Sequence, residues 1–133
     1  MASTVRDFMS QPAIFIDPEA SVGHAATLMR RRNIHSLVVA LEGSSYGIIT
    51  TTDIRDKIVA ADRDPQATPV RDIMSTPLAT ARPEWSLKEC SLKMKDMGVH
   101  HLPVADARGA IIGMISATDI FRAVEEAGWG AGS

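Results

Sequence analysis

Apolar residues Val22, Ala25, Ala26 and Met29 follow Ser21 at helical intervals, which puts all four on one face of a helix whose start the serine caps. The same pattern returns at Ser86, with Leu87, Cys90, Ser91 and Met94 on the inward stripe. The first of these helices is expected to end near Asn33 and the second at Gly98, where a glycine takes the left-handed conformation that closes a helix. Next come short β-prone runs, SLVVAL and HLPVAD, the turn segments EGSS and ARGA, and the runs YGIIT and IIGMIS, so each half predicts a β-hairpin. Thr50 and Ser116 then open second helices, with Ile54, Ile58 and Ala61 inward in one and Ile120, Val124 and Ala127 inward in the other.

The two halves are copies. VRDFMSQP at Val5 matches VRDIMSTP at Val70 at an offset of 65 residues, and GIITTTDI at Gly47 matches GMISATDI at Gly113 at an offset of 66. The repeat divides the chain into a first unit over 5–62, a polar, proline-punctuated linker over 63–69, a second unit over 70–127 and a flexible tail over 128–133. Two amphipathic helices over a small sheet bury too little apolar surface alone, so each unit is expected to need its twin.

Composition narrows the function classes. With 133 residues, 45% hydrophobic content and a net charge of −2, the chain reads as globular and without the basic footprint of a nucleic-acid binder. No apolar run reaches membrane-spanning length, which predicts a cytoplasmic protein with no membrane partner. The single cysteine, Cys90, falls on a helical core stripe and reads as a small buried hydrophobe. His100 and His101, adjacent at a strand start, point opposite ways and make a poor metal pair. Arg30 to Arg32 form the solvated end of a helix. No nucleophile elbow, phosphate-binding loop or dinucleotide fingerprint is present in the sequence, so no catalytic residue and no enzyme activity are expected.

Thr50-x-x-Asp53 and Ser116-x-x-Asp119 each fit a helix capping box. A cap by itself requires neither the Gly-apolar-apolar strand that feeds each one nor the repeated V-R-D-x-M-S segment upstream. Taken together, these features resemble the tandem CBS domain pair, or Bateman module, here as a stand-alone CBS domain-containing protein. The resemblance implies an α+β fold of two β-α-β-β-α units packed through their sheets about a pseudo-twofold axis. It also implies a regulatory module that binds an adenine nucleotide or related adenosyl ligand (AMP, ADP, ATP, NAD or S-adenosylmethionine) in clefts between the units and signals to a partner, with no obligatory cofactor.

By that resemblance Asp53 with Thr50, and Asp119 with Ser116, hold the ribose hydroxyls, and Ile48 and Met114 line the base. Asp119 is then expected to face Asp7, Ala13, Ile14, Ile34 and His35, and Asp53 to face Asp72, Leu78, Ala79, Val99 and His100. The phosphate positions fall on Ser36 in the first copy and on His100 and His101 in the second. Asp7 and Asp72 have a second reading as caps of the short turn beside them. The first copy departs from the family pattern, with Val38 where the second has Pro103 and Leu41 where it has Asp106, so the hairpins are expected to differ. Partners implied are a second copy of the chain, docked through helices whose Met94, Met97, Ile58 and Phe121 offer apolar surface, and a separately encoded enzyme or transporter. The alternative is a structural dimerisation protein with vestigial clefts.

Overall fold

The structure, a computed structural model, describes residues 3–43, 45–76 and 79–127. Leu78 and the 128–133 tail lie outside the described residues. The chain forms two compact units, one from residues 14–77 and one from 1–13 with 78–133. They are named here by their motif aspartates. The sequence copies and the compact units are thus cut differently: the V-R-D-x-M-S segment of each copy folds into the unit that carries the other copy's aspartate.

In the Asp53 unit, β1 (Phe15–Ile16) pairs in parallel with β2 (Ser36–Ala40), which pairs antiparallel with β3 (Tyr46–Thr50). Between β1 and β2 runs α2 (Val22–Arg32), capped by the Ser21 hydroxyl accepting from the His24 N–H and closed by Asn33 at φ 55°. The segment expected to be a linker does structural work at this helix. Thr68 and Pro65 carbonyls accept the free Val22 and Gly23 N–H groups at 2.9 and 3.0 Å, satisfying donors that a helix start leaves without intrahelical partners. After β3 come α3 (Thr51–Ile54) and a π-helical turn (Arg55–Val59), and the 3-10 turn Val70–Asp72 completes the unit. Its core gathers Ile16, Val22, Ala25, Met29, Leu37, Val39, Ile49, Ile58, Val70 and Ile73.

The Asp119 unit contains α1 (Val5–Phe8), α4 (Leu87–Met97), the antiparallel pair β4 (His101–Ala105) and β5 (Ile111–Ser116), and α5 (Ala117–Ala127). Where the Asp53 unit has β1, this one has a single parallel bridge from Ala81 to Val104. Its α4 is capped by Ser86 and closed by Gly98 at φ 65°. Val5, Met9, Ala81, Cys90, Met94, Leu102, Val104 and Ile115 form its core.

Two inward sets need correction. Ala61 is exposed, and in α5 the deeply buried residue is Ala123 while Val124 is only half-buried. Nor do the four residues expected to offer a docking surface all do so. Ile58 and Met94 belong to the unit cores and Met97 packs against one, which leaves Phe121 exposed, along with Val59 and Leu92. A small unit with two helices over a sheet draws long inward side chains such as Ile58 and Met94 into its core.

Candidate functional site

Each unit builds a corner where its hairpin's second strand turns into a helix. The Asp53 carboxylate Oδ2 accepts from the Thr50 N–H at 2.9 Å and from the Thr50 hydroxyl at 3.1 Å, while the Asp53 N–H donates back to Thr50 Oγ1 at 3.1 Å. At the other corner Asp119 Oδ2 accepts from the Ser116 N–H and hydroxyl at 2.9 and 3.0 Å, and the Asp119 N–H donates to Ser116 Oγ at 3.2 Å. The capping box is therefore real in both copies, and it holds each aspartate in one orientation. A further bond pins the backbone, from the Thr51 N–H to the His35 carbonyl and from the Ala117 N–H to the His100 carbonyl.

The features that a cap does not need have their own explanation. Ser75 exchanges two backbone hydrogen bonds with Ile48, and Ser10 exchanges two with Met114. Each V-R-D-x-M-S segment thus lies along the strand that feeds a corner. A Cβ on Gly47 would come within 2.7 Å of Met74 Sδ, and one on Gly113 within 2.6 Å of the Ser10 carbonyl. The glycine is required by the segment packed across it.

The second carboxylate oxygen faces a cation. Lys57 Nζ lies 3.2 Å from Asp53 Oδ1 and donates to the Ile73 carbonyl at 2.9 Å. An Arg122 guanidinium nitrogen lies 3.4 Å from Asp119 Oδ1 and donates to the Phe8 carbonyl at 3.3 Å. Sequence reading missed both cations, although their spacing of four and three residues from the aspartates is the spacing at which helical side chains meet. The carbonyls they reach carry no sequence signal at all: Ile73 is 16 residues from Lys57 and Phe8 is 114 from Arg122.

The remaining expected residues divide by unit. Ile48 and Met114 are buried beside their corners on β3 and β5. Ile14, Ile34, His35 and Asp72 belong to the unit of Asp53, and Asp7, Ala13, Ala79, Val99, His100 and His101 to the unit of Asp119. Asp7 closes a capping box on Thr4, accepting its N–H at 3.0 Å, whereas Asp72 lies 3.6 Å from Arg63. Ser36 stands opposite Thr50, and His101 opposite Ser116, in their antiparallel ladders. Val99 and His100 help line an open cavity of about 330 Å³ with Met94, Ala117 and Ile120. Cys90 is fully buried, and that burial pushes its thiol up to about 11, which leaves it without thiolate character near neutrality.

Among the described residues no three His, Cys, Asp or Glu side chains cluster as metal ligands, and no helix is long and apolar enough to cross a membrane. The repeat, the swapped segments and the paired corners coincide with a CBS domain match over residues 5–60 and again over 70–126. The chain belongs to the CBS domain family. It is 31% identical over 118 residues to the CBS domain-containing protein YhcV of Bacillus subtilis, covering 89% of this chain and 83% of that one. A homoserine O-acetyltransferase of Methanohalophilus mahii is also 31% identical over 118 residues, but this CBS pair spans 88% of itself and only 23% of that enzyme. Among solved structures, the CBS domain pair of protein MJ0100, in complex with 5′-methylthioadenosine and S-adenosyl-L-methionine, superposes with a TM-score of 0.82 at 26% identity, over 96% of this chain and 99% of that one.

Proposed function

We propose that this CBS pair is a regulatory module whose two corners each bind the ribose of an adenosyl ligand. The observation that carries the reading is the fixed aspartate. At each corner the cap holds a carboxylate that is only 13% and 11% exposed, with one acceptor site left on Oδ1 beside the cation and a Thr50 or Ser116 hydroxyl on Oδ2 whose hydrogen can turn away to admit a ligand. Such a group suits the two adjacent hydroxyls of a ribose, and the buried Ile48 and Met114 beside it suit an apolar face of the base. The likeness to a CBS pair that holds two adenosyl compounds supports the same ligand class here. The match to a segment of a larger enzyme supports a role in controlling a partner, and the exposed Val59, Leu92 and Phe121 support association of two chains.

Calorimetry with AMP, ATP, NAD, S-adenosylmethionine and 5′-methylthioadenosine tests the reading. Asp53→Ala and Asp119→Ala are each expected to weaken one corner by more than about tenfold, since hydrogen bonds to a charged group are lost. Each should cost the fold only about 1 kcal/mol, the value of a helix cap. Undiminished binding by the double variant would put the ligand elsewhere. Light scattering gives the assembly: a mass near twice the 14.3 kDa chain supports the dimer, and a concentration-independent single-chain mass rejects it.

A further inference from the structure

Lys57 and Arg122 do not correspond in sequence. At the offset of 66 that aligns the two motifs, Lys57 falls on Ala123 and Arg122 falls on Asp56. In space they nonetheless make the same pair of contacts, one to the Oδ1 of the motif aspartate and one to a backbone carbonyl. Those carbonyls belong to Ile73 and Phe8, which are equivalent at the offset of 65. The π-helical turn Arg55–Val59 reconciles the two, because its hydrogen bond, from the Ala60 N–H to the Arg55 carbonyl, spans one more residue than an α-helical one. Position four after Asp53 therefore stands where position three after Asp119 stands. A helical Asp-Lys or Asp-Arg pair on an open surface is a common and weak feature. Here the aspartates are nearly buried while the cations are 44% and 53% exposed, so a ligand that reaches the carboxylate also meets the cation.

From this we infer that Lys57 and Arg122 set the charge preference of the corners, each neutralising the aspartate that would hold the ribose so that the corner accepts a ligand bearing an anionic phosphate. The inference rests on the adenosyl reading and adds which kind of adenosyl ligand is taken. Without the cation, a shielded negative charge would sit beside the ribose, a few bonds from any 5′-phosphate. That distance is well inside the screening length of about 8 Å at physiological salt. Phosphate would then be repelled, whereas a neutral thioether would be indifferent and a sulfonium would be favoured. The cation is charge-reading and not merely structural if its loss separates these ligands.

The experiment measures the affinities of the whole chain for AMP, 5′-methylthioadenosine and S-adenosylmethionine by calorimetry. It compares wild type with the double variant Lys57→Met/Arg122→Met and with the charge-keeping Lys57→Arg/Arg122→Lys. The methionine variant is expected to lose about tenfold in AMP affinity relative to methylthioadenosine, as expected for an uncompensated charge near a phosphate. S-adenosylmethionine should bind it at least as well as wild type, and the charge-keeping variant should restore the wild-type ratio. In the methionine variant, raising potassium chloride should recover part of the lost AMP affinity by screening the uncompensated carboxylate, while methylthioadenosine stays nearly unchanged. Equal losses for all ligands, or an unchanged ratio, would overturn the charge-reading role while leaving the adenosyl reading intact. Absence of any binding by wild type would instead remove the adenosyl reading, and this inference with it.

Discussion

In the Asp119 unit α5 runs unbroken from Ala117 to Ala127, whereas in the Asp53 unit four residues of α-helix give way to a π-helical turn at Arg55. The difference moves everything after the motif by one residue. The buried side chain is Ala123, four after Asp119, in one unit and Ile58, five after Asp53, in the other. The cation is three after the aspartate in one and four after it in the other. What is repeated between the units is a set of contacts, and the backbone adjusts its helical geometry to deliver them from unequal sequences. The hairpins differ too. Asp106 Oδ1 accepts the Arg108 and Ala110 N–H groups to shape the second turn, and a register shift interrupts that ladder at Val104 and Ala105, while the first hairpin has Leu41 where Asp106 stands.

The strongest way to break the comparison is at the glycines under the swapped segments. An alanine Cβ at position 113 meets the Ser10 backbone oxygen at 2.6 Å, so the chain itself must move. At position 47 the nearest atom, at 2.7 Å, belongs to the flexible and half-buried Met74 side chain, and the Ser75 oxygen is 3.3 Å away. Gly113→Ala is therefore expected to destabilise by about 3 kcal/mol and Gly47→Ala by about 1 kcal/mol, the two ends of the range for overpacking. Urea denaturation of both variants reads the difference, and equal losses would show that the Ser10 segment yields as easily as Met74.

A smaller effect is expected at the helix ends, where Gly98 and Asn33 occupy the same left-handed position. No atom lies within 4 Å of a Cβ at Gly98, so Gly98→Ala should cost only the backbone term, about 1 kcal/mol. Asn33→Gly should stay within about 0.5 kcal/mol, because relief in the folded state is offset by a more flexible unfolded chain. The same denaturation series distinguishes the two sites.

The smallest effect separates Cys90 from Ala25, its counterpart at the 65-residue offset. Burial raises the folded-state value of the thiol to about 11. Its contribution to stability is complete below the ordinary thiol range and is lost as pH rises toward that value. Stability measured from neutral pH up to pH 11 should fall more steeply in wild type than in Cys90→Ala, and the difference between the two isolates the thiol. Parallel curves would mean that Cys90 is hydrated in the folded protein.

Much of this protein was legible along the chain because local rules govern it. Ser21 and Ser86 cap helices, Asn33 and Gly98 close them, and Thr50 and Ser116 form their boxes with Asp53 and Asp119, all through groups within four residues of each other. The β-prone runs YGIIT and IIGMIS, each set off by a turn segment, sufficed for the hairpins, and the repeat itself announced two corners. Three things were decided only in the tertiary structure. The 63–69 segment became the partner of a helix start, since free N–H groups accept whichever carbonyls fold against them. The helix after Asp53 opened into a π turn, which no periodicity in five residues could announce, and this placed Lys57 on the aspartate. Finally, Lys57 and Arg122 became equivalent through the carbonyls of Ile73 and Phe8, backbone groups that every residue type carries alike and that acquire a role only through the position the fold gives them.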